Sequence, residues 1–398
     1  MLRYVKDAAL LTFGIYWPVR LSIGREGRNL RSFFQLYTLW LMLVLFLGTI
    51  SYVFGDGFLP FLTAGLRWLL LLHASVGVGL MVFVLRSSAA SQRLALLLLI
   101  SVCLLDLIPL ASQLLGAGLA NVTVLRLPGM FSNAGTAGYF AIATSVVAYS
   151  AKKSGIAPRT MLMMLSLAIG AASGTRFAII ANLALMAALY LGAEKSLLRP
   201  TFRTYLGLGV VAPLLIVAAI ALIGFTGRGD ILEQQLSEGG RISNLQVVID
   251  EIGRGDSVDI LFGRGIGVGT NTAQGLADAL HINATSVKWN ILIDNTILTT
   301  FFQFGLFGSF VFWMGLFFLL RPLICRQATI ILLVLALGLV TQNMFEQYFL
   351  MLAFAAGLAA VRQDAAGIAG EGRGHASRIS TGGGRFFDRR STLRSYPG

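Results

Sequence analysis

Apolar runs of about twenty residues, the length a helix needs to cross a hydrocarbon core of roughly 30 Å, recur along this chain. They fall at 33–54, 58–85, 94–115, 133–151, 160–174, 177–192, 205–225, 294–320, 328–343 and 347–361. This recurrence points to an all-α polytopic membrane bundle of about ten transmembrane helices. Composition agrees, since 56% of the 398 residues are hydrophobic and only 12% charged. A soluble chain carries about a quarter charged residues. A single long polar interruption implies one membrane domain, 33–361, between an N-terminal segment, 1–32, and a tail, 362–398.

Arg3 and Lys6 precede an apolar stretch at 8–19 that resembles a secretion signal, but no small-residue cleavage site follows it. Arg20, Arg25, Arg28 and Arg31 come next and resist translocation, so the stretch is read as an interfacial helix on the cytoplasmic face. Cys103 lies in an apolar run and Cys325 beside Arg321 and Arg326, which suggests neither a disulfide framework nor a metal cluster. The tail is rich in Gly, Arg and Ser, lacks apolar periodicity and reads as disordered and solvated, with arginines able to touch anionic membrane lipid.

Basic connections stay in the cytoplasm, and that rule orients the chain. With the amino terminus inside, alternate connections hold Arg86 and Arg93, then Lys152, Lys153 and Arg159, then Lys195, Arg199 and Arg203, then Arg321 and Arg326. All are then cytoplasmic, as is the tail. Topology thus accounts for much of the +13 net charge, and no nucleic-acid partner is inferred. The remaining basic residues, Arg67, Arg126, Arg176, Arg228, Arg241, Arg254, Arg264 and Lys288, fall outside or within the membrane.

Residues 226–290 form the one long loop, on the outer, periplasmic side, and long ordered loops usually carry function. Gly239 and Gly240 mark a break in it, 243–252 has helical apolar spacing, and Gly263, Gly265, Gly267 and Gly269 form a flexible turn. Residues 261–267 look superficially like a nucleotide loop but lack the strand-turn-helix frame such loops need. They read instead as backbone lying close to membrane or substrate, with Arg264 able to reach an anion; a plain turn is the alternative. Arg176, in Ser173-Gly174-Thr175-Arg176, sits in a turn whose topology needs no positive charge, and Arg126 precedes the re-entry at 127–133. Snorkelling accounts for either arginine singly, but together such side chains suit a phosphate group, which the guanidinium fork binds bidentately.

Arg67, His73 and Asp106 fall within apolar runs, where ionisable groups need a partner or a wet cavity. Arg67 with Asp106 reads as a structural pair, and Pro109 is placed to kink that helix. Candidate bases on the outer side are Asp278, His281 and Asp294, with further carboxylates upstream. Asp294-Asn295 opens a helix, so Asp294 is expected to cap it and to face the outer cavity. No metal-ligand spacing is present, and neither metal nor cofactor is expected.

At these residues the chain resembles the bacterial O-antigen ligase and Wzy polymerase superfamily of lipid-linked glycan transferases. Four stretches carry the resemblance: Arg126 with Gly129, Phe131 and Asn133; Ser173-Gly174-Thr175-Arg176; Arg241 followed by Leu261-Phe262-Gly263-Arg264-Gly265; and Asp294-Asn295 leading to Phe304-Gly305-Leu306-Phe307-Gly308. Their order, and the large loop between the third and fourth, match the family over most of 126–308. The resemblance implies an undecaprenyl-diphosphate-linked oligosaccharide donor, a growing polysaccharide acceptor, and metal-independent inverting transfer at the periplasmic face of the inner membrane, with other polysaccharide-export proteins as candidate partners. It implies catalytic roles for Asp294, Arg176 and Arg241, with Arg126, Arg264 and Asn295 contacting substrate; His281 is off the family position and is a substrate-contact candidate only as an outer-side residue of the loop. Ligases of the family carry a histidine at the start of the helix after the loop, where this chain has Asp294. A polymerase is therefore expected first, a ligase second. A lipid-linked oligosaccharide flippase or other transporter is a reading from another class, opposed by the lack of matching halves and by the asymmetric loop; a non-catalytic scaffold needs no outer arginines.

Overall fold

A computed structural model describes residues 27–54, 59–84, 88–116, 127–131, 133–190, 249–250, 253–270, 273, 293, 295–341, 343–347 and 349–364. Among these the chain is helical, without strands. The helices are α1 (Gly27–Phe54), α2 (Leu59–Val84), α3 (Ala89–Gly116), α4 (Ala134–Ser150), α5 (Ile156–Ala172), α6 (Arg176–Tyr190), α7 (Ser257–Phe262), α8 (Thr296–Leu320), α9 (Thr329–Thr341) and α10 (349–364). Nine of the ten apolar runs coincide with helices, while 205–225, the stretch at 8–19, most of the 226–290 loop and the tail beyond 364 lie outside the described residues.

Among the described residues, four stretches are long and apolar enough to cross a membrane: Gln35–Val53, Phe61–Val82, Ala89–Leu115 and Thr296–Leu320. Their outward surfaces carry large apolar side chains, among them Leu39, Phe46, Leu98, Ile108 and Phe310, each at least 60% exposed. Exposed apolar area of this extent matches a lipid environment. The remaining runs form shorter helices than a full crossing asks for, with 17 residues in α5, 15 in α6 and 13 in α9. At 1.5 Å per residue a 13-residue helix reaches only about 20 Å. Glycine helps end them: Gly174, at φ 62, turns the chain between α5 and α6. In the other direction α1 begins at Gly27, so helix continues through Arg28 and Arg31 and takes in the end of the segment expected at 1–32.

Small residues set the packing of α4, α5 and α6. α4 is buried along most of its length, with Ala137, Ala141, Ala148 and Gly138 allowing close approach. Gly138 abuts Thr175, and Gly170 lies against Asn182 and Ala178. In such interfaces side-chain hydrogen bonds supply part of the cohesion. Thr144 and Ser166 share one at 2.6 Å, and Asn182 Nδ2 donates to the Ser166 carbonyl at 3.2 Å. The other half of the core is aromatic. Trp68 meets Phe345 edge-on at 4.7 Å and stacks near Phe312 at 5.4 Å, while Trp40 Nε1 donates to the Phe312 carbonyl across 3.2 Å.

Connections gather at two opposite ends. At one, Lys152 Nζ donates to Gln327 Oε1 at 2.8 Å, Lys153 Nζ pairs with Asp364 at 3.6 Å, and the Lys153 amide donates to Gln92 at 2.8 Å. This end joins the basic connections after α4 and α8 to the start of α3 and the end of α10. The other end holds the re-entrant segment 127–131, the turn between α5 and α6, and the glycine loop.

Candidate functional site

Two of the four motif segments meet where α5 ends. The Leu127 amide donates to the Ala172 carbonyl at 3.1 Å, setting the re-entrant segment 127–131 against the Ser173–Thr175 turn. The segment is held from below by α3. Asp106, fully buried, accepts from the Met130 amide at 2.7 Å, and Gln113 both donates to and accepts from the Gly129 backbone at 3.1 Å. Gly129 has φ 60 and abuts Asp106, so a side chain there meets the carboxylate. The ion pair expected between Arg67 and Asp106 is not formed; Asp106 takes a backbone amide instead, which anchors the turn without requiring a second charge. Asn133 then caps α4, its Oδ1 accepting from the Thr136 amide at 2.8 Å.

The other two segments dock onto each other through a break in α8. Gly305 adopts φ 65 and ψ −169, which only glycine populates readily, and interrupts the helical hydrogen-bond ladder. The carbonyls of Phe302 and Gln303 accept instead from the amides of Arg264 and Gly265, at 3.0 and 3.2 Å. Gln303 Nε2 donates to the Val268 carbonyl at 3.1 Å, and the Ile293 amide donates to the Gly269 carbonyl at 3.0 Å. Ser51 of α1 donates to the Phe262 carbonyl at 2.5 Å, closing the loop on its other side. The glycine run expected to be a flexible turn is therefore packed tightly. Gly263 faces Gln303 and Gly305, and Gly267 lies against the Phe61 carbonyl, approaches that leave no room for a Cβ.

Arg264 is 5% exposed, pairs with Asp259 at 3.6 Å and lies 4.6 Å over the Phe302 ring. Those contacts hold it within the docked loop. The expected helix cap also moves by one residue. Asn295, not Asp294, caps α8, with Oδ1 accepting from the Leu298 amide at 3.0 Å while Nδ2 donates to the Val340 carbonyl at the end of α9. The amide suits this place because it accepts toward one helix and donates toward another, which a carboxylate does not do.

The two docked pairs share a border. Thr296 Oγ1 accepts from the Met344 amide at 2.8 Å, and Gly338 of α9 lies against both Met344 and Phe177. Arg176, the first residue of α6 and partly buried, thus stands beside Phe177 on the same end of the bundle as Asn295. Arg126, Arg241, His281 and Asp294 lie outside the described residues. The connection at 343–347, which the apolar pattern marks only as a tight turn, carries polar groups to the same place. It sets Asn343, whose side-chain polar atoms are buried without a partner among the described residues, beside Met344, whose amide reaches Thr296, and carries the partly buried Glu346 two residues on. The sequence holds a signal for it, since Asn343, Glu346 and Gln347 interrupt two short apolar runs at the same end as the arginines.

Among the described residues no group of three or more His, Cys, Asp or Glu is placed to hold a metal ion. The arrangement offers positive charge, amide and hydroxyl groups, and carboxylate at one rim of a helical bundle. No family model, no curated protein and no solved structure matches this chain.

Proposed function

We propose that the chain is a polytopic inner-membrane polymerase that transfers undecaprenyl-diphosphate-linked oligosaccharide repeat units to a growing polysaccharide at the periplasmic face. The observation that carries the reading is the convergence of the re-entrant, Ser173–Arg176, glycine-loop and α8 segments at one end of the bundle. Those belong to the four stretches on which the resemblance to lipid-linked glycan transferases rests. In the reaction, an acceptor hydroxyl oxygen attacks the anomeric carbon from the face opposite the diphosphate. The new glycosidic bond forms as the bond from the anomeric carbon to the diphosphate oxygen breaks. The hydroxyl proton passes to Asp294 as base, and the diphosphate leaves on its lipid carrier. Arg176 and Arg241 hold the leaving oxygens and oppose their growing charge, with Arg126 and Arg264 contributing positive potential; Asn295 and His281 line the sugar path.

The break at Gly305 gives the transporter reading its one favourable observation, since transporters use discontinuous helices near the bilayer midplane. Here the carbonyls of Phe302 and Gln303 are taken by loop amides rather than left for a passing ion, which favours a docked scaffold. The deciding experiment incubates purified protein with a lipid-linked repeat unit and reads product length on a gel. A ladder of multiples supports polymerase; no product longer than one unit overturns it. In cells, deletion removes long polymer and leaves single repeats. Long chains persisting on the carrier, unattached, assign the ligase reaction instead.

A further inference from the structure

A cavity of about 490 Å³ lies between α1, α2, α8, α9 and α10, running from Phe345 in the α9–α10 connection to Arg362 near the end of α10. The loop meets Ser51, Phe61 and Gln303, whereas the cavity is lined further along the same helices by Trp40, Leu72, Trp313 and Leu320. The volume is that of a ligand site. Its wall is apolar apart from Ser75 and Arg362, and the Ser75 hydroxyl is already bonded to the Leu71 carbonyl at 2.8 Å. Water needs two to four polar partners to settle in a cavity, and this lining does not provide them.

Arg362 sits at one rim, partly buried. Among the described residues its side chain makes no hydrogen bond or ion pair. Two residues on, Asp364 pairs with Lys153, so the rim is level with the basic connections of the bundle. Arg321, exposed, follows directly on the lining residue Leu320 at the same end. An apolar slot ending in a guanidinium that no described residue pairs, at the basic end of a membrane-type bundle, matches one class of ligand: a hydrocarbon chain with an anionic head.

We infer that this cavity binds an anionic phospholipid, one acyl chain lying among Trp40, Trp313 and Leu335 and the phosphate resting on Arg362. The phosphate contact at Arg362 lies at the basic end, beside the Asp364–Lys153 pair, and stands whether or not the other end transfers glycans. Bound lipid fills a space between α2, α8 and α10 that side chains leave open, and so acts as a structural wedge.

Two of the five tryptophans line the cavity, which supplies the readout. The full chain, carrying Trp17→Phe and Trp289→Phe, is reconstituted into vesicles with increasing brominated phosphatidylglycerol or brominated phosphatidylcholine of identical chains. One arginine near a membrane surface favours an anionic head by about fivefold, so brominated phosphatidylglycerol quenches at about one-fifth the mole fraction of the zwitterionic lipid. Arg362→Gln brings the two curves together without altering the apolar wall. Ala336→Phe, which fills the slot, lowers quenching by both lipids, whereas Leu333→Phe, on the outward face of the same helix, leaves it unchanged. Equal quenching by the two lipids in the parent protein overturns the inference, as does insensitivity to Ala336→Phe. Displacement of brominated phosphatidylglycerol by a polyprenyl phosphate, but not by unlabelled phosphatidylglycerol, assigns the cavity to a polyprenyl chain and likewise overturns it.

Discussion

Replacing Gly305 by alanine tests whether the break in α8 and the glycine loop are one mechanical unit. Alanine at φ 65 and ψ −169 carries backbone strain of about 1–3 kcal/mol. The added methyl meets the Leu261 carbonyl at 2.5 Å and also the Gly263 amide, both backbone atoms that no rotamer change can move. The loop must therefore lift, and the Phe302 and Gln303 carbonyls lose the Arg264 and Gly265 amides. Each buried group left unbonded costs about 1–3 kcal/mol. The sum is about 3–9 kcal/mol, set against a typical total stability of about 5–15 kcal/mol. Even its lower end corresponds to about a hundredfold change in the docking equilibrium. Limited trypsinolysis in detergent reads this directly, because Arg254 is exposed while Arg264 is 5% exposed. Parent protein is cut at Arg254 and protected at Arg264; Gly305→Ala is cut at both. Gly253→Ala, a position with nothing within 4 Å of an added methyl, keeps the parent pattern. Unchanged protection of Arg264 in Gly305→Ala rules the coupling out, since the loop would then not depend on glycine at the break.

Arg176→Ala and Arg241→Ala each lower polymer formation by about 10² to 10³, the usual effect of removing one pre-organised donor to a developing anion. Arg176→Lys recovers part of it, Arg254→Ala is near neutral, and normal polymer at matched protein levels in both alanine variants removes the diphosphate clamp from consideration. A cysteine at Ser257 reacts with a membrane-impermeant thiol reagent in intact cells, because α7 belongs to the outer loop in the proposed topology. Labelling only after the inner face is opened reverses that topology and moves the site to the cytoplasm.

Helix identity is legible in the sequence wherever apolar runs are long, because an unbroken apolar segment of lipid-spanning length has almost no stable form except a helix. The starts and stops are less so. Glycine at 174 ends α5 as its conformational freedom suggests, yet α1 runs back through Arg28 and Arg31, whose charges do not oppose helix. The cap of α8 falls to Asn295 rather than Asp294, because the same side chain also has to donate to Val340, a residue remote in sequence. Arg67 and Asp106 suggest a pair as two charges in apolar runs, but Asp106 faces Met130, brought over α3 by a loop the run pattern does not describe.

The order of residues alone dictates apolar helices of membrane length, with basic residues concentrated in alternate connections. Those properties are local and additive, residue by residue, and need no knowledge of neighbours. It takes the packed fold to make the four glycines of the loop into packing contacts, to break α8 and reseal it with loop amides, and to lay Arg264 over Phe302 beside Asp259. Each of these depends on which backbone groups are left unbonded once helices meet. That quantity is set by pairs of segments far apart along the chain, as between Ile266 and Gly65, and no local pattern encodes it.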